Sequence, residues 1–259
     1  MEDTSNPPGR WPQSIADTLF GAYLPEWQMA EAERCALIML LNERRPACAI
    51  EIGTAQGGSL SALARFSEKV YSLDVNPACR EQLGPKFSNA EFITGKSQKT
   101  LPPLLDQLQQ ANGGLGLVLI DGAHSRDGVR QDIENLLHFR PTQLLYIVMH
   151  DSFNPECRRG ILEAGWSKSP YVHFVELDFV PGILQSHPDR YREMWGGLAL
   201  AILLPVERKG SLAVHANQEL LFQTVLQHSI DHRRPDHRLI RLVRRLKVAS
   251  LRSFSQPRG

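Results

Sequence analysis

Several features that would steer the reading elsewhere are missing from this chain. Its four cysteines, Cys35, Cys48, Cys79 and Cys157, lie far apart and include no Cys-x-x-Cys pair, which argues against a zinc knuckle and a disulfide framework alike. No apolar run is long enough to cross a bilayer, and the polar, proline-bearing start has neither the basic nor the apolar region of a leader peptide. A cytoplasmic location is the expectation. Net charge is also nearly absent: 29 Lys and Arg stand against 28 Asp and Glu, so no global field draws the chain to nucleic acid or membrane. No internal repeat or low-complexity tract stands out. What remains is a soluble composition, 42% hydrophobic and 22% charged over 259 residues, enough for one α/β domain with modest additions at each end.

The chain is organised around residues 47–59, an apolar run that ends in Glu51-Ile52 and opens into a turn containing Gly53, Gly57 and Gly58. Apolar residues without alternation suit a strand buried on both faces, and the glycines let the backbone turn tightly beside a ligand. The helix expected over 59–66 aims its free N–H groups at that turn. Residues 70–74 then read as a second strand ending in Asp74, where a carboxylate can accept ribose hydroxyls. The glycine spacing does not fit Gly-x-Gly-x-x-Gly, because Ala55 and Gln56 stand where a second glycine belongs, and no Lys-Ser/Thr follows as in a P-loop. A pyrophosphate ligand is therefore disfavoured.

Strand and helix alternate on either side of this core. A helix is expected over 28–41, with Met29, Ala32, Cys35, Ala36, Met39 and Leu40 on its apolar face and a stop at Glu43-Arg44-Arg45-Pro46. This helix could cover a cofactor, and Trp27 and Met29 read as core in preference to stacking contacts for an adenine. Further helices are expected over 76–83, 101–110 and 126–139, and strands over 90–95, 115–121, 143–149, 171–179 and 197–204. This cadence means parallel pairing with right-handed crossovers, and ligands gather at the carboxyl ends of such strands. Glu51, Asp74, Ser97 and Asp121 all fall there. The loop holding Pro181, Gly182, His187, Pro188 and Trp195 is expected at the substrate mouth. Three units are anticipated: an arm over 1–13, a domain over 14–205 with its cap helix, and a basic helical extension over 206–259.

That extension holds two apolar stripes, Leu220 to Leu226 and Leu239 to Leu246, the second set among Arg238, Arg241, Arg244, Arg245 and Lys247. A basic amphipathic helix suits an anionic membrane, nucleic acid or a partner subunit, and also a plainly solvated face. Nucleic acid is disfavoured because the body shows no basic stripe with interleaved aromatics. A homodimer, joined through the tail or the N-terminal helix, stays open.

The densest chemistry lies at the ends of two strands: Asp121-Gly122-Ala123-His124-Ser125 and His150-Asp151-Ser152. Three readings compete. Asp121, Asp151 and His150 hold a divalent metal while His124 takes a proton; or no metal binds and one histidine, oriented by a carboxylate, is the base; or the aspartates cap helices and the histidines are satisfied hydrogen bonders.

Taken together, Glu51-x-Gly53, the glycine loop and Asp74 resemble the cofactor site of class I S-adenosylmethionine-dependent methyltransferases. The Asp121 to Ser125 cluster, Asp132 and His150-Asp151-Ser152 resemble methyltransferase family 24, with its sugar and macrolide O-methyltransferases and cephalosporin-hydroxylase-like relatives. The resemblance implies a Rossmann-like seven-stranded sheet in the order 3-2-1-4-5-7-6, its last strand antiparallel, flanked by helices. It implies S-adenosylmethionine held by Glu51, Gly53, Thr54, Ala55, Gly57, Ser59, Asp74, Val75, Ser97 and Asp121, with Asp74 on the ribose and Ser97 near the adenine. It further implies methylation of a hydroxyl on a small-molecule or sugar-bearing metabolite, with Asp121 and His124 catalytic and His124 as base. In the metal-using sugar enzymes the equivalents of Asp121 and Asp151 bind magnesium, and a glutamate precedes the second aspartate. Here His150 takes that glutamate's place; imidazole suits magnesium poorly and manganese, iron or zinc better, so a divalent metal, whether magnesium, manganese or iron, is expected to be bound more weakly or to be a different one. Two alternatives follow: a non-methylating, hydroxylase-like relative, and an RNA methyltransferase using the basic tail.

Overall fold

The computed structural model describes residues 26–233. The expected arm over 1–13, and the second basic helix of the tail, lie outside the described residues. Strands β1 (Cys48–Ile52), β2 (Lys69–Asp74), β3 (Ala90–Thr94), β4 (Leu115–Ile120) and β5 (Leu145–His150) pair in parallel. They are followed by β6 (Val172–Val180), the short hairpin of β7 (Ile183–Leu184) with β8 (Met194–Trp195), then β9 (Leu198–Leu203) and β10 (Val214–His215). Helices α1 (Glu31–Arg44), α2 (Gly58–Phe66), α3 (Ala78–Leu83), α4 (Ser97–Gln110), α5 (Arg126–Leu136), α6 (Pro155–Glu163) and α7 (Glu219–His228) complete the fold.

The main sheet runs β10-β6-β9-β5-β4-β1-β2-β3. This contains the expected order, with β9 inserted antiparallel between β5 and β6. The sheet has eight strands, one more than expected, because β10 adds a parallel edge beside β6. The chain beyond residue 205 therefore returns to the sheet before it becomes helical.

Unbroken apolar strands are explained by the two layers they serve. Ile50, Ile52, Val118, Ile120 and Ile147 face α4, α5 and α6, whereas Ala49, Leu117, Leu119 and Val148 face α1 and α2. Alternate residues go to opposite layers, and both layers are covered. At the seam between β1 and β4, Asp121 N donates to Ile52 O at 2.7 Å and Gly53 turns away with φ +91°. A Cβ on Gly53 would lie 2.2 Å from the Asp121 carbonyl oxygen, so only glycine passes there.

Local details differ from expectation in four places. The buried face of α1 is Glu33, Leu37, Ile38, Leu40 and Leu41, whereas Ala32, Cys35 and Met39 face solvent. The expected stripe followed hydrophobicity alone; a carboxylate with its own hydrogen bonds has displaced an apolar residue from the buried side. Helix α4 starts at Ser97 and takes Pro102 and Pro103 into its body. The mouth loop contains the β7–β8 hairpin rather than irregular chain. Helix α6 was not expected; Asn154 caps it by accepting Glu156 N at 3.0 Å, with Pro155 as its first residue.

Candidate active site

A cavity of about 580 Å³ opens at the carboxyl ends of β1, β2 and β4. Gly53, Thr54, Ala55 and Ser59 form one wall, Asp74 and Val75 a second, Ser97 a third, and Asp121 and His124 the floor. Trp27 and Met29, expected as plain core, are buried and also line it. Asp74 ties the walls together: its Oδ2 accepts the N–H of Thr54 at 2.8 Å and of Ala55 at 3.3 Å, and its Oδ1 that of Asn76 at 2.8 Å. A carboxylate offers about four lone pairs, so capacity for a ligand hydroxyl remains. Ala55 holds φ +46° in this loop, which keeps its N–H turned to Asp74.

Two of the anticipated contacts act from behind the wall. Glu51 is fully buried and accepts the Ser59 hydroxyl at 2.6 Å and that of Ser72 at 3.1 Å. Burial pushes its carboxyl up to about 8, against the lowering effect of those hydrogen bonds. It is not part of the cavity lining. Gly57, at φ +84°, makes the turn into α2 and packs on Leu83.

A second chamber of about 90 Å³ adjoins the first. Glu33, His150 and Asp151 form its inner side, and Ile183, Arg190 and Trp195 its outer rim. Asp121 and His124 line both spaces. His124 Nε2 lies 3.4 Å from Asp121 Oδ1 and 3.2 Å from Asp151 Oδ2, and its ring meets Trp195 edge-on at 5.5 Å. The hydrogen bond to Asp121 is the main cause that raises the His124 pKa; burial opposes it, and the charges of Asp151 and Asp121 add to it. Asp151 sits at φ +58° and accepts Gly196 N at 2.7 Å. A left-handed non-glycine backbone at a site is a held conformation, here fixed by that bond.

His150 occupies the centre of the cluster. Its Nδ1 lies 2.9 Å from Asp121 Oδ1 and its Nε2 3.2 Å from Glu33 Oε2. Burial opposes ionisation of Asp121, but the His150 charge and the bonds from both histidines outweigh it and hold the carboxyl at about 2. One donor atom each from Asp121, His150 and Asp151 lies within 4.8 Å of the others. That spacing suits a cation, but the donor chemistry does not, because both His150 nitrogens already face carboxylates.

Glu33 is the site residue that sequence reasoning missed. In the chain it reads as an ordinary third-position acid of α1, accepting the Ala30 N–H at 2.7 Å. Nothing local marks its second role, a bond to a ring 117 residues away.

Residues 50–152 match the family 24 model of the methyltransferase domain. Over that stretch the chain is similar to this methyltransferase family. The matched stretch spans the glycine loop, Asp74, the Asp121 to His124 cluster and His150-Asp151, and leaves Glu33 outside. No curated protein sequence matches this methyltransferase. Among solved structures it is similar to the O-methyltransferase TomG from Streptomyces achromogenes in complex with SAM. That likeness has 16% identity over 73% of this chain and 87% of the other, at a TM-score of 0.50. An O-methyltransferase from Bacillus cereus in complex with SAH is 17% identical over 70% and 84%, at 0.48. The cofactor-bound Rv0187 from MTB is 20% identical over 74% and 94%, at 0.47. At 16% identity the likeness to TomG is one of fold alone. Among the described residues no helix is long and apolar enough to cross a membrane.

Proposed function

We propose that this methyltransferase holds S-adenosylmethionine in the large cavity and methylates a hydroxyl presented from the small chamber. One observation carries the reading: Asp121 and His124 are on the wall common to both spaces. A cavity of about 580 Å³, within the size range of small-molecule sites, ends at a glycine turn, a helix N-terminus and an acid that closes the second strand. These features fit the cofactor. Asp74 would hold the ribose diol, the turn at Ser97 the adenine end, and the Gly53 to Ser59 loop the methionine end.

The bound cofactor supplies a methyl group on a sulfonium, which already leaves readily. The protein must therefore align the acceptor and take its proton. Alignment is the larger demand, since fixing reactants supplies about 7–11 kcal/mol, whereas a general base adds about 10²–10⁴-fold. His124 is the base. Its Nε2 donates toward the Asp121 and Asp151 carboxylates, which leaves Nδ1 to accept the hydroxyl proton. The two carboxylates orient the ring and stabilise the imidazolium once it forms. Trp195 and Ile183 shield the rim, so the acceptor is a small-molecule or sugar-bearing hydroxyl whose reactive end fits a narrow pocket.

Calorimetric titration with S-adenosylmethionine, followed by mass spectrometry of hydroxyl acceptors incubated with it, tests the reading. Saturable binding by the wild type, with mass gains of a methyl group that vanish in His124→Ala, is the expected result. Absence of cofactor binding would remove the proposal.

A further inference from the structure

We propose that His150, gripped between Asp121 and Glu33, is a fixed organic cation standing where the resembled sugar enzymes hold magnesium, so that this site works without a metal ion. The proposal concerns the cluster itself and does not depend on which acceptor is methylated.

The argument begins with hydrogen-bond direction. An ionised carboxylate accepts hydrogen bonds and cannot donate them, so an imidazole with a carboxylate on each nitrogen carries a proton on each. His150 has Asp121 Oδ1 at 2.9 Å from Nδ1 and Glu33 Oε2 at 3.2 Å from Nε2. A metal-binding histidine donates one N–H outward and keeps the other lone pair for the ion. In this cluster that second nitrogen is directed at Asp121, with Asp151 Oδ1 a further 3.7 Å contact, and the ring is buried, so its lone pair has no open direction toward an ion.

Charge placement agrees. The resemblance sets two aspartates and a glutamate around a dication. This chain also assembles two aspartates and a glutamate, Asp121, Asp151 and Glu33, but the glutamate comes from α1 and an imidazole lies among them. His124, 3.2 Å from Asp151 Oδ2, adds a second basic ring. The doubly protonated His150 ring supplies a standing positive charge among the carboxylates, and His124 adds a second only when it takes the acceptor's proton.

Glu33 is fixed as the partner of His150 and has no freedom to swing onto an ion. Its Oε2 also accepts the Ala30 N–H at 2.7 Å, and its Oε1 accepts the Gly197 N–H. The adjoining turn is shaped around it: a Cβ on Gly196 would lie 2.6 Å from Glu33 Oε1. Glu33 is thus a positioning residue that acts through His150 and through the turn leading into β9.

The test uses the full chain, stripped with chelator. Calorimetric titration with manganese chloride is expected to show no stoichiometric binding by the wild type, and the melting temperature should not change with EDTA. Nitrogen-15 NMR of the His150 ring at about pH 8, well above the ~6.5 of free imidazole, should show both nitrogens protonated. Glu33→Gln should remove that doubly protonated signature while the fold persists, which a purely structural role would not do. His150→Glu should bind manganese at least about tenfold more tightly than the wild type. Stoichiometric manganese, iron(II) or zinc binding by the wild type that is lost in His150→Ala overturns the proposal, and so does a neutral His150 ring at about pH 8. Should His150→Glu not fold, the wild-type titration and spectrum decide alone.

Discussion

The Oδ2 of Asp74 accepts the backbone N–H of Thr54 at 2.8 Å, so the acid that ends β2 closes the glycine loop that follows β1. The same carboxylate shapes the loop and faces the cavity, which couples cofactor binding to loop geometry. Removing it deletes hydrogen bonds to a charged group, worth about 1.5–3 kcal/mol. Asp74→Ala should therefore weaken S-adenosylmethionine binding by about 10–100-fold in calorimetry. An unchanged dissociation constant would place the ribose elsewhere.

His124→Ala should lower kcat by about 10²–10⁴-fold and leave cofactor affinity nearly unaltered. Because the hydrogen bond that His124 donates to Asp121 raises the His124 pKa, the neutral, base-competent ring becomes abundant only above the ordinary histidine range. The wild-type rate should accordingly climb with pH through a midpoint above ~6.5 and then level. A rate that is flat over this window would exclude His124 as the base.

Glu51 makes stability fall as pH rises. Its folded pKa, about 8, is above the 4.5 of an ordinary glutamate. Below 4.5 it is protonated whether folded or unfolded. Between 4.5 and about 8 the unfolded form releases its proton while the folded form retains it, so the unfolded state gains. Glu51→Gln keeps the shape and removes the titration. Its advantage over the wild type in urea denaturation should grow from about pH 5 to pH 8, reaching at most a few kcal/mol. A constant difference across that range would refute the assignment.

Arg158 joins three elements. Its guanidinium meets Asp178 Oδ1 at 2.6 Å and Glu219 Oε2 at 2.7 Å, and lies 4.2 Å over the Phe222 ring. This locks α7 against α6 and β6. Arg158→Ala leaves the buried Asp178 without its cation, and such losses cost about 3–5 kcal/mol. Chemical denaturation should report a loss of that order, and one below about 1 kcal/mol would show the pair to be dispensable.

Local pattern alone determined much of this molecule. Continuous apolar runs reaching an acid marked β1 and β4, because a central parallel strand must be apolar on both faces until it reaches the ligand edge, and a shorter strand-like run ending in Asp74 marked β2. That pattern located Asp74, Asp121, His124, His150 and Asp151, and with the family resemblance it anticipated the sheet order, lacking only the short edge strand β10. A two-residue strand such as Val214–His215 has no period to read.

Tertiary structure decided which way the polar residues face. Glu51 reads in the chain as a ligand contact but lies behind the wall on Ser59 and Ser72, because its strand position turns toward α2. Glu33 reads as a helix-cap acid but is buried against His150, which rotates the whole inner face of α1 away from the hydrophobic stripe. The physical reason is common to both. Periodicity reports on neighbours a few residues apart, whereas a buried carboxylate is tolerated only by partners that the fold brings from far along the chain.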